Sequence, residues 1–108
     1  MKPRTLAEML AKIPPTFRHV VHIPVAGGEQ AVEFEFRTRT REELAAFTKK
    51  LGTGKGMSDD MAIAEVAVGW SFDDEFNADA IKSLLQHAPG AGHAVMQAYL
   101  QASTGLRG

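Results

Sequence analysis

Gly69-Trp70-Ser71-Phe72-Asp73-Asp74-Glu75-Phe76-Asn77, running into Ala88-Pro89-Gly90-Ala91 and ending on Tyr99, is the stretch around which the chain is organised. The only Trp and the only Tyr stand at its two ends. Asn77 is placed to cap a helix whose apolar stripe is Ile81, Leu84, Leu85 and Ala88, and Pro89-Gly90 stops it. Ala91, Val95, Ala98, Tyr99 and Ala102 then fall on one face of a second helix. The spacing predicts a helical hairpin, near 77–88 and 91–103, closed by two aromatics. Trp70 continues the stripe of Ile63, Val66 and Ala67 in a preceding helix near 58–69, with Ser58 as its cap, Asp59 and Asp60 in its first turn and Gly69 at its end. Trp70, Phe76 and Tyr99 are expected to be structural anchors, with the Trp70 ring against the helix after Asn77 and the Tyr99 hydroxyl at a polar rim.

Upstream, Thr5 and Glu8 form a capping box for a short helix carrying Leu6, Met9, Leu10 and Ile13 at i, i+3, i+4, i+7, and Pro14-Pro15 ends it. Phe17, His19, Val21, Ile23 and Val25 alternate with Arg18, Val20, His22 and Pro24, the first set being the more apolar face of a strand. Pro24 marks an edge strand or a strand end. Ala26-Gly27-Gly28-Glu29 supplies a hairpin turn, after which Val32, Phe34 and Phe36 alternate with Glu33, Glu35 and Arg37. A two-stranded ribbon with one apolar face needs cover, so Val21, Ile23, Phe34 and Phe36 are expected to be buried together beneath helices. Thr40 and Glu43 are a second capping box, opening a helix near 41–51 with Leu44, Phe47 and Leu51 on one face.

The fold class is therefore α+β: a two-stranded antiparallel β-hairpin packed against a mostly helical C-terminal part of about four helices, plus a short N-terminal helix. A single domain over 1–108 is expected, with the N-terminal helix in 1–15, the hairpin in 16–40, the helical part in 41–104 and a flexible Gly-rich loop at 52–57. At 108 residues there is no room for a separate cofactor domain. A formal net charge of -1 predicts no general attraction to nucleic acid or anionic membranes. Cysteine is absent, which fits a reducing compartment and removes thiolate metal sites. Neither the ~20-residue apolar run of a membrane span nor the apolar core of a signal peptide is present.

The motifs that invite chemistry fail on spacing. Gly54-Lys55-Gly56-Met57-Ser58 has Gly after Lys, where a phosphate loop has Ser or Thr, and it follows a helix rather than a strand. Asp73, Glu75, Asn77 and Asp79 alternate as in a calcium loop, yet Ala78 stands where the sharp turn requires Gly. His19 and His22, three apart on a strand, point to opposite faces, and a metal between His87 and His93 would lack further ligands. No Ser has a His within the same motif, so no catalytic residue, cofactor or metal is expected. Arg37, Arg39 and Arg41 line one side of a strand. That strip supports a second reading, a small regulatory or nucleic-acid-binding domain, although Glu33 and Glu35 continue it with opposite charge.

Phe34-Glu35-Phe36-Arg37-Thr38-Arg39-Thr40-Arg41-Glu42-Glu43-Leu44-Ala45-Ala46-Phe47, followed by Gly69-Trp70, Phe76-Asn77, Leu84-Leu85, Ala88-Pro89-Gly90-Ala91, Ala94-Val95 and Tyr99, resembles the phage tail assembly chaperones. These small proteins are encoded beside the tape measure protein of long-tailed bacteriophages and prophages. The resemblance spans about residues 34 to 102 and rests on the order of its elements. At the C-terminus, Leu106-Arg107-Gly108 departs from the basic, Asn-containing tail common in relatives, some of which have a longer frameshifted form. The resemblance implies a non-enzymatic protein that coats the largely helical tape measure protein and helps recruit tail tube subunits. It would act in the host cytoplasm, be missing from the finished virion, and leave room for self-association. Met57, Met61, His87, Pro89 and Met96 are the candidate partner-binding residues, since Met9 and these methionines offer adaptable, polarizable contacts. Phe34 and Phe36 join Trp70, Phe76 and Tyr99 as anchors.

Overall fold

The computed structural model describes residues 4–52 and 57–104. Its elements in chain order are α1 (Leu6–Ala11), β1 (Thr16–Val25), β2 (Gly28–Arg37), α2 (Arg41–Gly52), α3 (Asp59–Val66), β3 (Ala67–Trp70), α4 (Ala78–His87) and α5 (Ala91–Thr104). The architecture is α+β, with one antiparallel sheet in the order β1-β2-β3 and five helices among the described residues. Most of the Gly-rich stretch, residues 53–56, lies outside them, as do residues 105–108.

The hairpin forms as the alternation requires. Phe17 is opposite Phe36, Val21 opposite Val32 and Ile23 opposite Gln30. Directly opposed residues share a face, and Val21, Ile23, Val32, Phe34 and Phe36 are all buried on it. His19, at an inward position opposite Phe34, is exposed. Ala26-Gly27 makes the loop, and only Gly27 takes a positive φ, +86°, while Gly28 already belongs to β2.

The expected two-stranded sheet gains a third strand. Ala67–Trp70 pairs with β2, so the helix expected over 58–69 stops at Val66. Phe34 is opposite Trp70 and Phe36 opposite Ala67, with a bulge between Glu35 and Phe36. The ladder continues one residue further: the Ser71 N–H donates to the Glu33 carbonyl at 2.9 Å, and the Glu33 N–H donates to Ser71 Oγ at 3.2 Å. Two facts favour the strand over another helical turn. Val66, Val68 and Trp70 fit a pleated surface, and the free edge of β2 carries backbone groups that need partners.

Helix α5 crosses the inner face of the sheet against β1, and α3 lies between α5 and α4. The expected pairing of the two last helices is thus largely replaced by packing through α3. Close approach at α5 depends on Gly92, where an added Cβ would lie 2.7 Å from the Asp59 carboxyl at the start of α3. The capping boxes read from the sequence form at α2, with Glu43 N–H donating to Thr40 Oγ1 at 3.2 Å and Thr40 N–H to Glu43 Oε1 at 2.8 Å. At α1 the Glu8 N–H donates to Thr5, but the Glu8 carboxylate reaches back to the Arg4 N–H. Asn77 caps α4 through the Ala80 N–H. Ser58 occupies the cap position of α3 without a side-chain cap bond, because its hydroxyl is turned to the Asp60 carboxylate.

Trp70 and Tyr99 do not close one hairpin; they anchor two different aromatic clusters. Tyr99 is fully buried among Phe17, Phe36 and Phe47. Its hydroxyl donates to the Arg37 carbonyl at 2.9 Å and accepts from Arg39 Nη1 at 3.0 Å. Trp70 is half-buried and meets Phe34, Phe72 and Phe76 edge to face.

Tyr99→Phe keeps the ring and removes the hydroxyl, leaving the part-buried Arg37 carbonyl and an Arg39 N–H one partner short. It should lower stability by about 1–3 kcal/mol in urea titration. Glu43 gives a prediction on pH. Bonds from the Thr40 backbone and hydroxyl hold its carboxyl below the ordinary 4.5. Its contribution is therefore complete above that value and is lost as pH falls through the lower native value. Glu43→Gln should lower the melting temperature slightly at pH 7, where the carboxylate's contribution is complete, and the difference from the native chain should close as pH falls below 4.5, read from melting temperature against pH.

Candidate functional site

Phe72 has no stripe to join: it sits between Ser71 and the Asp73-Asp74 pair, in the turn that leaves β3. Phe72 is 41% exposed, and its ring leans edge-on against Trp70 at 5.1 Å. The Trp70 indole N–H donates to the Asp74 carbonyl at 2.8 Å, which fixes the turn under the indole. Phe76 braces the other side of the indole at 4.9 Å. Trp70, Phe72 and Asp74 on one side and Ala80, Ser83, Leu84 and His87 of α4 on the other enclose a groove of roughly 260 Å³. His87 Nδ1 lies 3.0 Å from the Ser83 carbonyl, which only accepts, so Nδ1 carries the hydrogen and Nε2 is left as the second ring nitrogen.

A second apolar surface is α1. None of its residues is buried, and Leu6 and Leu10 are 68% and 53% exposed, with Met9 and Ile13 also in solvent. The stripe at i, i+3, i+4, i+7 is real, but nothing in the described structure covers it. Ile13 and Pro14 instead border a hollow of roughly 240 Å³ with Phe17, Thr38, Arg39, Ala102 and Ser103. Thr38 Oγ1 and Ser103 Oγ are buried there without a hydrogen-bond partner.

Of the residues named for partner binding, Met61, His87 and Pro89 are exposed, whereas Met57 and Met96 are half-buried and pack against the core. Only His87 shares the Trp70 groove. Phe34 and Phe36 are fully buried, and Phe76 is half-buried. The arginine strip is not a strip. The strand ends at Arg37, and Arg39 turns inward to a position 14% exposed, donating to the Glu65 carbonyl at 2.7 Å and lying over the Phe47 ring at 4.8 Å. The guanidinium is consumed by the core, which leaves Arg37 and Arg41 exposed on either side of it. No three His, Asp or Glu side chains come together as a metal-ligand set among the described residues. None of the helices there is long and apolar enough to cross a membrane.

A family model of phage tail assembly chaperones matches residues 6–108. The chain belongs to that family. Comparisons with curated proteins and with solved structures give no match. For a tail assembly chaperone, uncovered apolar surface is the feature to explain. Contiguous exposed apolar patches on small proteins mark interaction sites, whereas scattered single residues do not. The α1 stripe and the Trp70–Phe72 groove are the candidates among the described residues. Neither was named as a site from the sequence. Phe72, an aromatic stranded in an acidic turn, was the available signal for the groove. For α1 there was none, because an uncovered stripe and a buried one read alike.

The chaperone's groove makes a stability prediction. Phe72→Ala removes an exposed ring and should change stability by no more than about 0.5 kcal/mol. Trp70→Ala removes the ring against which Phe34, Phe72 and Phe76 pack, together with the bond to Asp74, and should cost about 3 kcal/mol, the lower end for a large aromatic because Trp70 is half-buried. Chemical denaturation of both variants checks the contrast.

Proposed function

We propose that this tail assembly chaperone is a non-enzymatic factor that binds the tape measure protein of a long-tailed phage or prophage. It keeps the apolar helical surface of that protein in solution and helps recruit tail tube subunits. It works in the host cytoplasm and leaves before the virion is finished. The observation that carries the reading, beside family membership, is the α1 stripe. Leu6, Met9 and Leu10 form one apolar face on a six-residue helix none of whose residues is buried, and exposed Ile13 continues it just past the helix end. Isolated helices shorter than about 12–15 residues are marginal in water. A helix of this kind gains stability by laying its face on an apolar partner helix, the common mode of amphipathic recognition. Methionine suits the task, since its unbranched thioether adapts to different partner side chains. Met9 and Met61 are exposed for it, whereas Met57 and Met96 are half-buried against the core. His87, at the end of α4, and Pro89, in the link to α5, are exposed to a partner as well.

Co-expression of the tagged chain with the tape measure protein encoded beside it tests the reading. The native chain should hold the tape measure protein in the soluble fraction and co-purify with it. Leu6→Ser combined with Leu10→Ser should reduce the recovered partner by about tenfold, corresponding to about 1.4 kcal/mol. The melting curve of that variant should stay that of the native chain, because neither side chain contributes to the core. A tape measure protein that stays insoluble beside the native chain would overturn the proposal.

A further inference from the structure

Charge is unevenly spread along this chain. Residues 1–55 contain ten Lys or Arg against six Asp or Glu; residues 56–104 contain seven Asp or Glu against the single Lys82. The Trp70 groove lies wholly in the acidic part. Asp73, Asp74 and Glu75 are exposed in its turn, and Asp79 is exposed in the first turn of α4. Lys82 is close enough to Asp60 to add to the Ser58 hydrogen bond that mainly holds that carboxyl low, and it is not among the residues that line the groove. The groove therefore has apolar walls, acceptor groups and carboxylates at its rim, and no Lys or Arg among the described residues that line it.

Its size decides what it can take. Pockets for small molecules and cofactors usually run to about 300–1,000 Å³, and this one is roughly 260 Å³ and shallow enough to leave Phe72 exposed. One or two side chains fit better than a free ligand. An aliphatic side chain can enter between Trp70 and Leu84. A Lys or Arg beside it would meet the Asp74 carboxylate and the face of Phe72, a combination of charge pairing and cation–π attraction. His87 adds a further acceptor in its neutral form, since Nδ1–H is already directed at Ser83.

We infer that this groove selects cationic segments: it is the docking notch for an apolar side chain flanked by Lys or Arg on an amphipathic helix of the partner. The inference rests on the chaperone reading and names the class of tape measure segment that this surface takes. Specificity of this kind comes from charge complementarity around an apolar anchor, with carboxylates at the rim repelling acidic helices.

Trp70 is the only Trp, so its fluorescence reports on the groove directly. Three synthetic helical peptides with the same Leu anchors and flanks of Lys, Gln or Glu are titrated against the full chain. The Lys-flanked peptide should shift Trp70 emission and bind at least about tenfold tighter than the Glu-flanked one, with the gap closing as salt rises. Asp73→Lys combined with Asp74→Lys should reverse that order, and Phe72→Ala should weaken all three peptides. Equal binding of the Lys and Glu peptides, no response of Trp70 to any of them, or an order that survives the charge reversal would overturn the inference. So would a second copy as the occupant, seen as a dimer in sedimentation velocity that the charge reversal dissociates while the peptides fail to compete. Co-purification of the tape measure protein separates the two readings. If the native chain holds it and the peptides do not discriminate, the notch fails and the chaperone stands; if the native chain does not hold it, the chaperone reading itself fails.

Discussion

A guanidinium withdrawn from water has to be paired, and the way Arg39 is paired determines how the rest of the structure meets. Its side chain is 14% exposed, and leaving such a charge without partners would cost several kcal/mol. The partners come from three helices. Tyr99 of α5 accepts at 3.0 Å, the Glu65 carbonyl and carboxylate of α3 accept at 2.7 and 3.4 Å, and Phe47 of α2 supplies a ring face at 4.8 Å. Tyr99 in turn donates to the last residue of β2. The segment 38–40 thus ties the end of the central strand to three helices. Because Glu65 answers with its backbone as well as its carboxylate, α3 is fixed at its C-terminal turn, one residue before the chain changes into β3.

That position explains why the sheet has three strands. Once α3 is pinned at Glu65 and Val66, the next residues are delivered beside the free edge of β2, whose backbone groups require partners. Ala67 and Trp70 then face the same side as Phe36 and Phe34. Trp70 leaves the helical stripe to which its spacing assigned it and becomes the roof of an aromatic cluster at the far side of the sheet from Tyr99. The two aromatics serve opposite edges of the inner face, Tyr99 over Phe17 and Phe36, Trp70 over Phe34 and Phe76.

The parts of this fold that were legible in the sequence are those governed by neighbours along the chain. Alternation from Phe17 to Val25 and from Val32 to Phe36 set the register, and Thr40 with Glu43 and Asn77 with Ala80 marked two helix starts, because capping bonds span only three residues. The parts that were illegible depend on partners far away. Ile63, Val66, Ala67 and Trp70 satisfy a helical period, and nothing local shows that β2 would claim the last two. Arg39 alternates with Arg37 and Arg41 as an outward residue would, and only Glu65 and Tyr99, 26 and 60 residues on, turn it inward. The site was hidden for a related reason: Trp70 and Leu84 come together through β3 and α4, and a periodic pattern says which face is apolar but not whether it is covered.

Covered and uncovered apolar faces also differ in how they are held, and this difference separates the scaffold from its working surfaces. Every large aromatic at the sheet is tied by pairing across strands or by a hydrogen bond, whereas α1 is held by little more than Thr5, Glu8 and the rigid Pro14-Pro15 link. Removing apolar side chains from α1 takes nothing from the core. The core cannot therefore account for Leu6, Met9 and Leu10 in register on so short a helix. A face that stabilises nothing within the described structure and still keeps the helical period is best explained by a partner outside it. What the described structure leaves open is an apolar face on α1 without cover and a groove beside Trp70 with carboxylates at its rim.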